Sequence, residues 1–231
     1  MKKILIIILV ISLFALPVMA LEESALLSDG KTYTLVTPAS AAYPDDDSFK
    51  LTDGIKGELT DGNYYKSAAY IGFSQASKDE NGDFVIILDL GSDYDNIGSF
   101  SLSYLNETDV GIYAPQSYTV YIADEAEGTY TLVGSAVINE SKEAGVALTG
   151  SSEITAPEDV SGQYVKFVIH HLEPFDSNGT TVTAGWTFID EIGVYSSDTV
   201  PQTGENGMAV LIVLAIMSGS AWLGLKLKKR V

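Results

Sequence analysis

An all-β sandwich is the fold class this sequence predicts, and three observations carry it. Short runs rich in β-branched and aromatic residues recur along the chain, each closed by Gly, Asp, Asn or Pro. One of them, Ser99–Leu105 (SFSLSYL), alternates cleanly, so Phe100, Leu102 and Tyr104 share a face. No stretch between Tyr33 and Tyr195 keeps helical periodicity over three turns. About 165 residues is ample for one core and too few for two, so one domain is expected.

In chain order, the clearest expected strands are Asp83–Leu90, Gly98–Leu105, Ser117–Ala123, Tyr130–Gly134, Gln163–His171 and Trp186–Tyr195. Phe84–Leu90 (FVIILDL) is apolar nearly throughout, the pattern of a central strand covered on both sides. Ser196–Thr203 reads as a polar tail, about 27 Å long if fully extended at ~3.4 Å per residue.

The two ends of the chain read differently. Residues 1–20 have a basic start (Lys2, Lys3), an apolar run from Ile4 to Leu16 and a small-residue close at Val18-Met19-Ala20, the pattern of a secretory signal peptide. Met208–Leu225 is an uncharged apolar run of 18 residues, about 27 Å as a helix and close to a bilayer's hydrocarbon thickness. Residues 226–231 hold Lys226, Lys228, Lys229 and Arg230, which marks the cytoplasmic side. The middle of the chain is therefore expected outside the cell.

That exported stretch, Leu21–Thr203, holds 30 acidic and seven basic residues, a net charge of 7 − 30 = −23. Such a surface repels nucleic acid and anionic lipid and attracts divalent cations. There is no cysteine, which removes thiol chemistry, disulfides and cysteine–zinc sites. Only two histidines, His170 and His171, are present. They are adjacent, and in a strand adjacent side chains point to opposite faces and cannot converge on one ion. No Gly-x-Ser-x-Gly elbow occurs. A non-catalytic domain is expected.

Val200-Pro201-Gln202-Thr203-Gly204, followed by the apolar span and the basic end, resembles the LPXTG cell-wall sorting signal of Gram-positive surface proteins. The resemblance implies that a sortase cleaves between Thr203 and Gly204 and joins Thr203 to peptidoglycan, with Met208–Leu225 a transient membrane anchor. Pro201, with its fixed φ, presents a kinked, extended peptide to an enzyme groove. Val200 departs from the usual leucine.

Leu51-Thr-Asp-Gly54, Tyr70-Ile-Gly-Phe73, Val85-Ile-Ile-Leu-Asp-Leu-Gly91, Gly111-Ile-Tyr-Ala-Pro115 and Trp186-Thr-Phe-Ile-Asp-Glu-Ile-Gly-Val-Tyr195 together resemble the discoidin-like, galactose-binding-like fold. That group includes the coagulation-factor type C domains and the family 32 carbohydrate-binding modules. The resemblance implies a jelly-roll β-sandwich over residues 31–197, with residues 198–231 forming the sorting signal (motif 200–204, span 208–225, basic tail 226–231). It also implies a structural Ca2+ site that joins the two ends of the domain. On this reading Asp53 and Glu191 supply carboxylates, Asp61 a further oxygen and Leu51 its carbonyl. Calcium takes six to eight oxygens and suits carbonyls from tight Gly-containing loops. The other reading of Asp53-Gly54 and Asp61-Gly62 is that both are simple turns.

The fold implies a carbohydrate ligand on loops at one end. Tyr64, Tyr65, Tyr113, Phe175 and Trp186 are the loop-borne aromatics, with Asn63, His171, Asp176 and Asn178 as polar neighbours. Tyr64 and Tyr65 are the expected surface platform, because adjacent loop residues cannot easily both be buried. Trp186 and Tyr70 lie in motifs that pack inward. The partners implied are a glycan, a sortase and peptidoglycan; a protein-interaction or structural subunit is the other function the chain could serve.

Overall fold

The computed structural model describes residues 22–46, 48–59 and 62–201. The expected signal peptide, the apolar span, Asp61, Thr203 and Gly204 lie outside the described residues. Among the described residues no helix is long and apolar enough to cross a membrane. Ser24–Asp198 forms one compact unit; the other unit, Met1–Glu23 with Thr199–Val231, falls almost wholly outside the described residues.

Two five-stranded sheets make the domain. The first holds β1 (Glu22–Leu26), β3 (Ile71–Ser74), β5 (Ile97–Glu107), β8 (Ala147–Thr155) and β12 (Trp186–Pro201), in the order β1-β12-β5-β8 with β3 also pairing β12. The second holds β2 (Tyr33–Leu35), β4 (Asp83–Tyr94), β6 (Ser117–Ala123), β7 (Thr131–Val137) and β9 (Gly162–His170), in the order β2-β4-β9-β6-β7. A small hairpin joins β10 (Phe175–Ser177) to β11 (Thr180–Val182).

The core lies between the sheets. Phe73, Phe84, Phe100 and Phe167 are fully buried there, with Ile86, Leu88 and Val194. Each such side chain contributes about 1.5–3 kcal/mol by leaving water. Tyr118 of β6 spans the gap and donates its hydroxyl hydrogen to carbonyls of the opposite sheet, at 2.9 Å from Ser152 and 3.3 Å from Phe100.

Two expectations about individual strands change places. In β4 the buried residues alternate: Phe84, Ile86, Leu88 and Leu90 face the core, while Val85 and Ile87 are only half-covered. β5 is the strand covered on both sides, every residue from Phe100 to Glu107 being buried. Its second face mixes the small Ser101 and Ser103 with buried Leu105 and Glu107, and the Tyr195 ring and Ser101 hydroxyl crowd so closely over Gly193 that a Cβ there would meet them below 3.0 Å. A strand can thus be deeply buried without being a continuous apolar run.

The expected polar tail is also corrected. β12 continues through Ser196 to Pro201, and Ala25 N–H donates to the Ser196 hydroxyl at 3.1 Å. Pairing of β1 with β12 likewise carries the domain's first strand back beyond residue 31.

Candidate functional site

β12 carries the chemistry, and a β-bulge decides how. Its register against β5 runs Ile189↔Tyr104 and then Glu191↔Ser103, leaving Asp190 as the extra residue. Ile189 and Ile192 both join the core. Without the extra residue, strict alternation would turn Glu191 inward; the bulge instead sends Asp190 and Glu191 toward the same loop.

That loop is Leu51–Gly57. Ile192 N–H donates to the Leu51 carbonyl at 2.8 Å, and Gly57 N–H donates to Asp190 Oδ2 at 2.8 Å. Gly57 has no alternative there, since a Cβ would fall 2.1 Å from the Tyr70 ring. Asp53 Oδ1 accepts from Ile55 N–H at 2.7 Å, closing an Asx turn, and Gly54 has φ of +75°. Asp53-Gly54 is therefore a turn, and its carboxylate also lies close enough to Glu191 to act on its charge.

Glu191 is 4% exposed, and neither of its carboxylate oxygens meets a hydrogen-bond donor in good geometry. Burial and then the Asp53 carboxylate push its pKa up to about 8, only partly offset by the Gly54 amide. Burial also raises the pKa of Asp190, whose Oδ1 is buried without a partner. Buried carboxylate oxygens without partners are costly. An oxygen-only set of Glu191, Asp53 and the Leu51 carbonyl has the donor chemistry of a hard cation. Among the described residues no three carboxylates or histidines gather, so any fuller ligand set must draw on carbonyls, water or Asp61.

At its N-terminal end β12 helps to form an aromatic cleft. Tyr43, Tyr65, Val110, Ile112, Trp186 and Phe188 line a space of about 140 Å³. Tyr43 meets Trp186 at 5.4 Å and 87°, Phe188 at 4.7 Å and 63°, and Tyr65 at 6.0 Å and 82° between ring centroids and planes. Tyr65 is placed by a 3-10 turn over Tyr64–Lys66 that follows Asn63 in the left-handed region. Its N–H donates to Glu107 Oε2 at 3.1 Å. Phe188 is fully buried at the floor, whereas Tyr65 and Trp186 are half-buried and Val110 is exposed.

The sequence-based ligand face divides on inspection. Tyr65 and Trp186 meet in one cleft, with Trp186 more exposed than an inward-packing motif residue. Tyr64 is half-buried against the same cluster but outside the cleft lining. His171 is corrected outright: it is 1% exposed, Nδ1 pairs with Thr187 Oγ1 at 2.9 Å and Nε2 with the Ala184 carbonyl at 3.0 Å. Both ring nitrogens are used, so it cannot reach a ligand. His170 points the other way, 2.6 Å from Asp83 Oδ1, as alternation requires. Tyr113 and Phe175 form a separate pair at 5.5 Å, and Tyr113 is buried. Tyr43 and Val110 were not foreseen. Tyr43 lies outside the expected strands, beside Pro44 and an Asp run.

Residues 196–231 match the LPXTG cell wall anchor motif. Among curated proteins none matches the chain. Similar solved structures include chitosan-binding module 1 of a chitosanase/glucanase from Paenibacillus sp. IK-5, 16% identical with TM-score 0.46, over 74% of this chain and 99% of that one. A family 32 carbohydrate-binding module from Clostridium perfringens is 14% identical with TM-score 0.44, over 75% of this chain and 100% of that one. The lectin domain of lectinolysin, solved with Lewis B antigen, is 16% identical with TM-score 0.49, over 76% and 99%. The anchor motif establishes the chain as an exported, cell-wall-anchored surface protein of the Gram-positive type.

Proposed function

We propose that the exported domain is a non-catalytic, lectin-like module that binds a carbohydrate in the Tyr43–Tyr65–Trp186 cleft, carries a structural calcium ion between Asp53 and Glu191, and is presented at the wall through Thr203. The observation that carries the ligand reading is the cleft itself: partly exposed aromatic rings over an apolar floor, with phenol and indole groups at the edges. Small-ligand sites have this make-up, mostly aromatic with a few polar groups that fix orientation. The unpartnered oxygens of Glu191 facing Asp53 support the cation. When bound, calcium would neutralise these carboxylates and fasten the Leu51–Gly57 loop to β12. A glycan array probed with the full chain in calcium is the test. Binding that is lost in Trp186→Ala supports the reading, and an array without binding removes it.

A protein-interaction subunit is the second reading. β7 is an edge strand of its sheet and exposes Leu132 and Val137, at 58% and 70%. An exposed apolar edge is a surface on which another chain can add a strand. Pull-down of a defined surface partner that is lost in Val137→Lys, with no measurable sugar affinity, would decide for it.

A further inference from the structure

We infer that the cation site and the aromatic cleft are linked, with Tyr70 the positioning residue between them. An ion held by Asp53 and Glu191 tightens the cleft, and a ligand in the cleft tightens the hold on the ion. This rests on the calcium and carbohydrate readings above and adds to them a means of regulating the cleft.

Both sites are built from the same two pieces of chain. The segment from Leu51 to Tyr70 begins at the cation site, with the Leu51 carbonyl, Asp53 and Gly57, and ends beside the cleft, with Tyr65 and Tyr70. β12 supplies the other half in reverse order, Phe188 and Trp186 at the cleft and Asp190, Glu191 and Ile192 at the cation site.

Tyr70 stands where the two meet. It is buried, and its ring lies so close over Gly57 that a Cβ would have no room. Gly57 in turn donates its N–H to Asp190 Oδ2 at 2.8 Å. The Tyr70 ring also meets Phe188, the floor of the cleft, at 6.2 Å and 65°. Phe188 touches Tyr43, Trp186 and Tyr65 at 4.7, 6.0 and 6.4 Å between ring centroids. Gly72 hems it in further, since a Cβ there would fall 2.9 Å from the ring. Side chains packed to the density of an organic crystal do not shift singly. The backbone repeats the tie: Tyr70 N–H donates to the Ser67 carbonyl at 3.3 Å, and Ser67 N–H to the Tyr64 carbonyl at 3.0 Å.

The bonds left unmade give the second ground. Among the described residues, the buried side-chain oxygens without a partner are Tyr70 Oη, Asp190 Oδ1 and both of Glu191. All belong to the seam between Gly57 and β12. Native proteins satisfy nearly all such groups, so a seam short of bonds has a better arrangement to reach. Without an ion the Asp53 and Glu191 carboxylates repel each other, which opposes closure of the Asp53 turn on β12. With an ion between them the same carboxylates draw the turn in, Gly57 moves against Tyr70, and Tyr70 presses on Phe188. The two states then differ at the cleft as well as at the ion, which is the condition for linkage. The coupling acts equally in both directions and is typically about five- to 150-fold in affinity.

Trp186 lets the cleft report on the ion with no sugar present. The chain's other tryptophan, Trp222, lies in the apolar span. The full chain carrying Trp222→Phe, in neutral detergent, therefore fluoresces from the cleft alone. Calcium should change Trp186 emission and lower its quenching by acrylamide, saturating at the same free calcium as ion binding measured by calorimetry. Tyr70→Leu should keep the calorimetric binding and lose the Trp186 response. Tyr70→Phe keeps the ring and should restore it. Tyr70→Met, whose flexible side chain adapts to the space, replaces the leucine variant if that chain does not fold. Calcium binding that leaves Trp186 unchanged overturns the linkage while the calcium reading stands. No calorimetric binding removes the calcium reading and the linkage with it. A Trp186 response that persists in Tyr70→Leu or Tyr70→Met overturns the part given to Tyr70.

Discussion

His171 and Glu191 are both buried ionisable side chains, yet their surroundings treat them in opposite ways. His171 is surrounded by partners: both ring nitrogens are hydrogen-bonded, and burial lowers its pKa so that the neutral ring is the stable form. Glu191 has neither oxygen satisfied and a second carboxylate nearby, so its anion is disfavoured until something positive joins it. The comparison separates a polar group that finishes a fold from one that the fold leaves unsatisfied. Residue type alone would have ranked them the other way, since a histidine in a chain with only two invites a functional reading.

Opposite environments imply opposite responses to pH. For Glu191 the folded-state pKa of about 8 exceeds the ordinary 4.5. The native protein then binds the extra proton between these values, and stability of the calcium-free protein falls as pH rises from about 4.5 to 8. The loss is bounded at about 5 kcal/mol. Urea midpoints in chelator should trace that slope, and Glu191→Gln should flatten it. For His171 the depressed pKa means that the unfolded chain protonates first. Its contribution is therefore present above pH ~6.5 and fades as pH falls below that. A calcium-free profile that rises steadily with pH across this range would break the comparison.

His171→Ala should cost about 2–4 kcal/mol, from a cavity and from stranding Thr187 Oγ1 and the Ala184 carbonyl. It should leave the response to calcium unchanged, which denaturant melts with and without the ion would show. Calcium itself should stabilise by about 1.4–2.7 kcal/mol at ten to a hundred times its dissociation constant, raising Tm by about 3–10 °C. Glu191→Gln should cancel that rise. The smallest effect sharpens the contrast most: Asp53→Asn should stabilise the calcium-free protein by about 0.5 kcal/mol, by removing a like charge, while abolishing the calcium-induced shift.

Much of the sandwich was readable from turn spacing, because strands with strong apolar faces announce themselves. Ser117–Ala123 coincides with β6, and β4, β5, β7, β9 and β12 all contain or overlap expected segments. The weaker strands are polar. β8 buries only Ile154, so its sequence ALTGSSEIT has no face to detect. β10 and β11 flank an Asn178-Gly179 turn with both residues at positive φ, a hairpin signal whose flanking strands are too short and too polar to register. At the candidate site, Asp53 and Glu191 could be matched through ordered motifs, but the bulge at Asp190 could not. A single extra residue leaves no mark on composition, and it reverses the side to which Glu191 points. His171 failed as a ligand-face candidate for a related reason: its two partners come from residues 184 and 187, which only the folded chain brings near. Tyr43 escaped notice because a lone tyrosine in an acidic loop has no local pattern.

The length of β12 also decides how the protein bears mechanical load. Its first residues, Trp186 and Phe188, form the cleft, and its last, Pro201, enters the sorting motif, with paired neighbours along the way. Tension between a captured ligand and the peptidoglycan would run along this strand, parallel to its axis and across its ladder of hydrogen bonds. In that shearing direction many bonds must give way together instead of one after another, so on the proposed reading a pull on Pro201 against a held ligand should meet a high unfolding force.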